Sequence, residues 1–159
     1  FIGPIQSNKT KDIAIHFDWV QSIDRLKIAQ RLNKQRPQNL PPLNVCIQIN
    51  IDNETTKSGV QVTELFSLAK VINSLEQLKL RGIMVIPSKT DDLEQQHLAF
   101  HRAHNLYQQL ADQYATVDTL SMGMSSDLSA AIVEGSTMVR IGSALFGQRT
   151  TPQGTGQVN

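Results

Sequence analysis

Strand-like and helix-like segments alternate along this chain from end to end, and that alternation restricts its fold more than any other feature. Residues 44–51 are the clearest strand: Val45, Ile47, Ile49 and Ile51 alternate with Cys46, Gln48 and Asn50, the period-2 pattern of a strand with two different faces. Apolar or β-branched runs at 17–23, 80–86, 117–122 and 138–141 predict further strands, and Phe1-Ile2-Gly3 reads as the end of another. Helical periodicity fills the intervals. Asp24 stands as an N-cap before Leu26, Ala29 and Leu32, in a helix closed by Pro37. Leu65, Leu68, Ala69, Ile72 and Leu75 mark the next helix, and Leu93 to Tyr114 form a long amphipathic one. A short helix at 127–133 ends before Gly135, and residues 142–146 open a final helical turn.

Strict βα alternation predicts a parallel sheet with outer helices. Two architectures satisfy it: an open doubly wound sheet and a (β/α)8 barrel. Central strands of an open sheet are usually apolar on both faces. Cys46, Gln48 and Asn50 instead give residues 44–51 a more polar face, which a barrel lumen accepts. The favoured expectation is therefore an α/β fold, a (β/α)8 TIM-type barrel, with six strands readable here against eight in a closed barrel. The first two strands are expected before Phe1, so the chain reads as N-terminally truncated. A partial barrel is expected over residues 1–149, and a disordered tail over 150–159, where Gly, Thr and Gln dominate. An incomplete barrel leaves two unpaired edges, from which we expect the chain alone to fold poorly or self-associate.

Composition narrows the function classes. With 159 residues, 40% of them hydrophobic and 18% charged, the chain holds one domain with a sizeable core. A net charge of +1 creates no field favouring nucleic acid or an anionic membrane. No apolar run approaches the roughly 18 residues of a spanning helix. The single cysteine, Cys46, excludes a disulfide framework and fits a reducing, cytoplasmic setting.

Three strings carry the chemistry: residues 1–9 (FIGPIQSNK), 120–127 (LSMGMSSD) and 139–147 (VRIGSALFG). The last two share a logic, each being a strand that runs into a Gly- and Ser-containing turn at the start of a helix. Free backbone N–H groups and a positive dipole end gather there, glycine allows close approach, and Ser hydroxyls add donors, which together make a phosphate cradle. In (β/α)8 barrels, phosphate sites recur after the seventh and eighth strands, and these are the last two strand–loop units. Ordinary capping by Ser125 and Ser143 is the simpler alternative for either turn alone. Arg140 has the opposite parity to Val139 and Ile141, so it points into the barrel if they pack outward. A buried Arg needs a partner, either a ligand or a lumen carboxylate.

Together these strings resemble the YggS/PROSC family of pyridoxal phosphate homeostasis proteins. The resemblance runs from about Phe1 to Arg149 and includes Lys57-Ser58-Gly59 and the strand at 82–87. That family is similar to the N-terminal barrel domain of alanine racemase and holds pyridoxal 5′-phosphate (PLP) through a lysine Schiff base on its first strand. The resemblance implies phosphate contacts from Gly142 and Ser143, a further contact from Ser125, Ser121 lining the site, and Arg140 at the pyridine nitrogen. It implies a binding protein of vitamin B6 and amino-acid homeostasis, not an enzyme. Its partners would be PLP and PLP-dependent apoenzymes, without nucleic acid or membrane, and the intact protein would be a monomer or weak dimer. An Arg donor leaves the ring nitrogen unprotonated and weakens carbanion stabilisation, which disfavours transaminase-type chemistry.

The Schiff-base lysine is expected upstream of Phe1. Lys9, Lys57 and Lys89 match it by residue type only and read as solvated amines. A small PLP enzyme of the alanine racemase type is the alternative function. That enzyme adds a β-rich domain with a catalytic Tyr, and no such pattern follows residue 149, which favours the binding protein. His97 and His101 share a helix face, but Leu98 stands where a zincin helix carries Glu. No Cys or carboxylate nearby in sequence completes a metal set, so His97, His101 and His104 read as packed or half-exposed histidines. Cys46 is expected to be a buried core residue. Asn50, near its strand's C-terminal end, suits a ligand contact and a structural hydrogen bond equally.

Overall fold

The computed structural model describes residues 1–147, the side chains of residues 143 and 144 excepted. Four strands, β1 (Trp19–Ile23), β2 (Leu43–Ile49), β3 (Leu78–Val85) and β4 (Thr119–Ser121), form one parallel sheet in the order β1-β2-β3-β4. Each strand lies beside its predecessor. A doubly wound sheet would reverse direction at a switch point, so this order decides for a barrel wall. Right-handed crossovers then place the connecting helices on one side: α1 (Thr10–His16), α2 (Leu26–Gln35), α3 (Leu65–Asn73), α4 (Leu93–Ala111), α5 (Leu128–Val133) and α6 (Ser143–Phe146).

Two further segments extend the wall without regular ladders. Along β1, Gln21 N–H donates to the Phe1 carbonyl at 2.9 Å, and Ser22 Oγ donates to the Gly3 carbonyl at 2.6 Å. Along β4, Met138 bridges Ser121 in parallel. The expected strand at 138–141 is therefore a single bridge with flanking bonds, Met122 N–H to Met138 O at 3.0 Å and Arg140 N–H to Gly123 O at 2.9 Å. All six expected segments line up in order, and the sheet is an unclosed arc among the described residues. The expected tail at 150–159 and the boundary at 149 lie outside the described residues.

The strand at 44–51 is buried on both faces, but with different chemistry. Val45, Ile47 and Ile49 join Val20, Leu80, Ile83 and Leu120 in the apolar core beneath Ile28, Leu65 and Phe100 of the helices. Cys46, Gln48 and Asn50 are also buried, at 0%, 8% and 4% exposure, on the opposite parity. Bulge-like register shifts interrupt the pairing between Val20 and Ile23 and between Val45 and Cys46. At the second, Gly82 takes φ 149, and a Cβ there would stand 1.8 Å from the Thr119 carbonyl oxygen. Only glycine allows β4 to approach β3 at this point.

One capping expectation fails. The N-cap of α2 is Arg25, in extended conformation and without a side-chain cap. Because α2 starts at Leu26, Asp24 lies one residue before the N-cap position, and its carboxylate holds the Arg25 guanidinium at 2.6 Å instead.

Candidate functional site

All strands of a parallel wall end on one rim, and in barrels that rim carries the site. Arg140 lies at that rim with two hydrogen-bond partners. Its Nη1 donates to Ser121 Oγ at 2.7 Å and its Nη2 to the Val85 carbonyl at 2.8 Å. Burial pushes its pKa down, and Asp127 opposes this only through its field. Among the described residues, the structural ion pair with a lumen carboxylate is therefore not what forms: both direct partners are neutral. Two of the five N–H donors that a guanidinium carries are used in this way.

Ser121 is fully buried. Its hydroxyl donates to Gln21 Oε1 at 2.6 Å, and Gln21 Nε2 in turn donates to Met138 Sδ at 2.8 Å. Gln21 was missed by sequence reasoning. Its only signal was a polar residue at the centre of the run Trp19-Val20-Gln21-Ser22-Ile23.

The turn after β4 is built on Gly123. Its φ is 94, and a Cβ there would lie 2.6 Å from Ala131 Cβ on α5. Met124 N–H donates to Asp127 Oδ1 at 2.6 Å, and Asp127 occupies the N-cap position of α5. Ser125 is thus an exposed turn residue, not the cap. The bond from Arg140 N–H to Gly123 O ties this turn to the next at 2.9 Å. Gly142 holds the N-cap position of α6, and a Cβ added to it would meet nothing within 4 Å. Ser143 begins α6, while its side chain lies outside the described residues. Ser121 and Arg140 are in direct contact, and Ser125, Gly142 and the backbone of Ser143 sit on the two loops that this bond joins.

Asn50 resolves toward structure. Its Nδ2 donates to the Glu54 carbonyl at 2.6 Å, and its Oδ1 accepts from Glu54 N–H at 3.1 Å. Beside it, Asp52 Oδ2 accepts from the Ser88 N–H at 2.6 Å and hydroxyl at 2.7 Å, and Oδ1 accepts from Arg102 at 2.9 Å. Burial raises the Asp52 pKa, but the Ser88 bonds and the Arg102 and Lys57 charges outweigh it and hold the carboxyl below its ordinary value. Lys57 is not the solvated amine expected: its Nζ donates to Ser88 Oγ at 3.1 Å and pairs with Glu54 at 3.4 Å. Lys9 and Lys89 are exposed, as read.

Spacing could not show the partner of the histidines. Glu134, the C-cap of α5, meets His97 Nδ1 at 2.8 Å and His101 Nδ1 at 3.1 Å. The hydrogen bond from His97 is the main cause holding the Glu134 carboxyl below its ordinary value. No group of three His, Cys, Asp or Glu among the described residues is placed to hold a metal. Cys46 is buried, and burial pushes its thiol up to about 12, the state of an inert core residue. Among the described residues, no helix is long and apolar enough to cross a membrane.

A sequential parallel wall with a partly buried arginine, bonded to a hydroxyl and a carbonyl, at its C-terminal rim defines a barrel-type domain. Comparisons with known proteins specify the family. Residues 1–150 match the alanine racemase N-terminal domain family. A pyridoxal phosphate homeostasis protein of Pasteurella multocida is 58% identical over 151 residues, covering 94% of this chain and 65% of that protein. One from Vibrio cholerae is 56% identical over 149 residues, covering 94% of this chain and 63% of the relative. PipY of Synechococcus elongatus, solved without PLP and with PLP bound, superposes at TM-scores of 0.84 and 0.81, with 32% and 31% identity, over 91% of this chain and 68% of PipY. The chain belongs to the alanine racemase N-terminal domain family and, within it, to the YggS/PROSC group. It spans just under two thirds of the length of the curated relatives it matches.

Proposed function

We propose that this chain carries the phosphate and ring-nitrogen side of a PLP site and serves cofactor homeostasis without catalytic turnover. One observation carries the reading: Arg140 is a partly buried guanidinium at the rim whose direct partners among the described residues are neutral oxygens. Such a group favours a ligand that brings acceptors and negative charge. A pyridine nitrogen suits the remaining Arg140 donors. The phosphate suits the backbone at Gly142, where a Cβ would meet nothing within 4 Å, with Ser143 and Ser125 adding hydroxyls. The names of the curated relatives and the PLP-bound PipY structure support the same ligand. When bound, the cofactor supplies a carbonyl electrophile and an electron-withdrawing ring. Arg140 as donor keeps the ring nitrogen unprotonated, which weakens that ring as an electron sink and fits binding better than turnover.

The finer parts of the reading follow from the family. The Schiff-base lysine is assigned to the segment of the relatives outside these 159 residues. The setting is cytoplasmic, the protein partners are PLP-dependent apoenzymes, and the intact protein is a monomer or weak dimer. The decisive experiment titrates PLP into the full-length protein, followed by absorbance, borohydride fixation and peptide mapping. A saturable spectrum fixed on an upstream lysine is expected, and Arg140→Met is expected to weaken it about tenfold. No binding by the full-length protein overturns the assignment. Amino-acid racemisation at about 1 per second or faster would make it an enzyme instead.

A further inference from the structure

We infer that Gln21 is a positioning residue for Arg140, acting through Ser121 with Met138 as its orienting partner; the inference rests on the PLP reading above. Four groups form a chain across the lumen. Arg140 Nη1 donates to Ser121 Oγ at 2.7 Å, Ser121 Oγ to Gln21 Oε1 at 2.6 Å, and Gln21 Nε2 to Met138 Sδ at 2.8 Å. Gln21 sits on β1 and Ser121 on β4, at opposite edges of the four-stranded sheet, so the curvature of the wall brings them together.

The polarity of this chain is forced from both ends. A guanidinium carries only donors, so Ser121 must accept from Arg140. A thioether sulfur is an acceptor only, so the Gln21 amide must turn its NH2 toward Met138 and its oxygen toward Ser121. The Ser121 proton then has one destination, Gln21 Oε1. Ser121 is fully buried and Gln21 is 8% exposed, so water is poorly placed to substitute for either. Two consequences follow. Ser121 has no proton left for a ligand, and its task is to hold the guanidinium. The Arg140 Nη1 direction depends on a side chain that touches neither Arg140 nor the ligand.

The test uses the full-length protein with two readouts. The first is PLP affinity for wild type, Gln21→Leu, Gln21→Glu, Ser121→Ala and Gln21→Leu/Ser121→Ala. Gln21→Leu and Ser121→Ala should each weaken binding about tenfold, the double variant no more than Ser121→Ala alone. Gln21→Glu keeps an acceptor for Ser121 and should restore most of the affinity. The second readout needs no cofactor: the rate of phenylglyoxal modification at Arg140, mapped by mass spectrometry, should rise several-fold in Gln21→Leu and stay near wild type in Gln21→Glu. Additive losses, or an unchanged Arg140 modification rate, overturn the inference. If wild type binds no PLP but the modification rates behave as stated, the cofactor reading fails and the positioning role stands.

Discussion

Arg36 and Arg140 are both withdrawn from solvent, Arg36 fully and Arg140 in part, and they differ in what surrounds each head group. Arg36 donates to the carbonyls of Pro41 at 2.9 Å and of Ala14 and Phe17 at 2.8 Å. It is a brace, closing the C-terminal end of α1 and the connector after α2. Arg36→Met keeps the aliphatic volume but strands three carbonyls, and should cost about 2–4 kcal/mol, read by urea denaturation. Arg140 instead donates to the Ser121 hydroxyl and the Val85 carbonyl at the rim. Parity made Arg140 legible as an inward residue, since it alternates with Val139 and Ile141; nothing local in the sequence distinguishes Arg36, whose partners come from the end of α1 and from the connector after α2. Cys46 is the other residue whose chemistry burial decides. With its thiol pushed up to about 12, it should resist a thiol reagent at pH 8 in the native protein and react stoichiometrically once unfolded; rapid native labelling would contradict its burial.

Between elements, the loop after β2 is held to the β3–α4 loop and α4 by a carboxylate. Asp52 receives Ser88 and Arg102, and its folded pKa lies below the ordinary 3.8. A depressed carboxyl contributes stability above its unfolded pKa and loses it as pH falls through the folded value. The stability difference between wild type and Asp52→Asn should therefore be full at neutral pH and shrink as pH drops below about 4; a difference constant with pH would remove the charge from the account. Turn chemistry was legible in this region only in part. The loop at 52–59 was readable from its lack of pattern, and the local Asn50–Glu54 staple fits the structural hydrogen bond that Asn50 allowed, but the Lys57–Ser88 contact was not readable, because it depends on how β2 and β3 lie side by side. The same limit hid Glu134 from His97 and His101.

Across the whole molecule, one side chain ties the four strands together at the end opposite the site. Arg81 binds Asp118 through Nε at 3.0 Å and through Nη2, donates to Asn44 Oδ1 at 2.8 Å, and lies 4.7 Å from the Trp19 ring centroid. Its hydrogen bonds to Asp118 are the main cause holding that carboxyl below its ordinary value. Because the pair is partly exposed, Arg81→Leu should cost only about 1–2 kcal/mol, while shifting the emission of Trp19, the chain's single tryptophan. The bulge at Gly82 is less forgiving. Gly82→Ala places a methyl against the Thr119 backbone and should destabilise by about 3 kcal/mol or more; a variant as stable as wild type would refute the close approach of β3 and β4.

The βα alternation, the parity of residues 44–51 and the Gly/Ser turns after the last strands were determined by the sequence alone. Each is a short-range consequence of side-chain period or backbone freedom. Strand order was not, because an open sheet and a barrel wall share the same local pattern and differ only in which strand pairs with which. Nor was the proton chain from Arg140 to Met138, which joins residues 100 and more positions apart in sequence. That chain exists because the wall curves, and curvature belongs to the packed sheet as a whole.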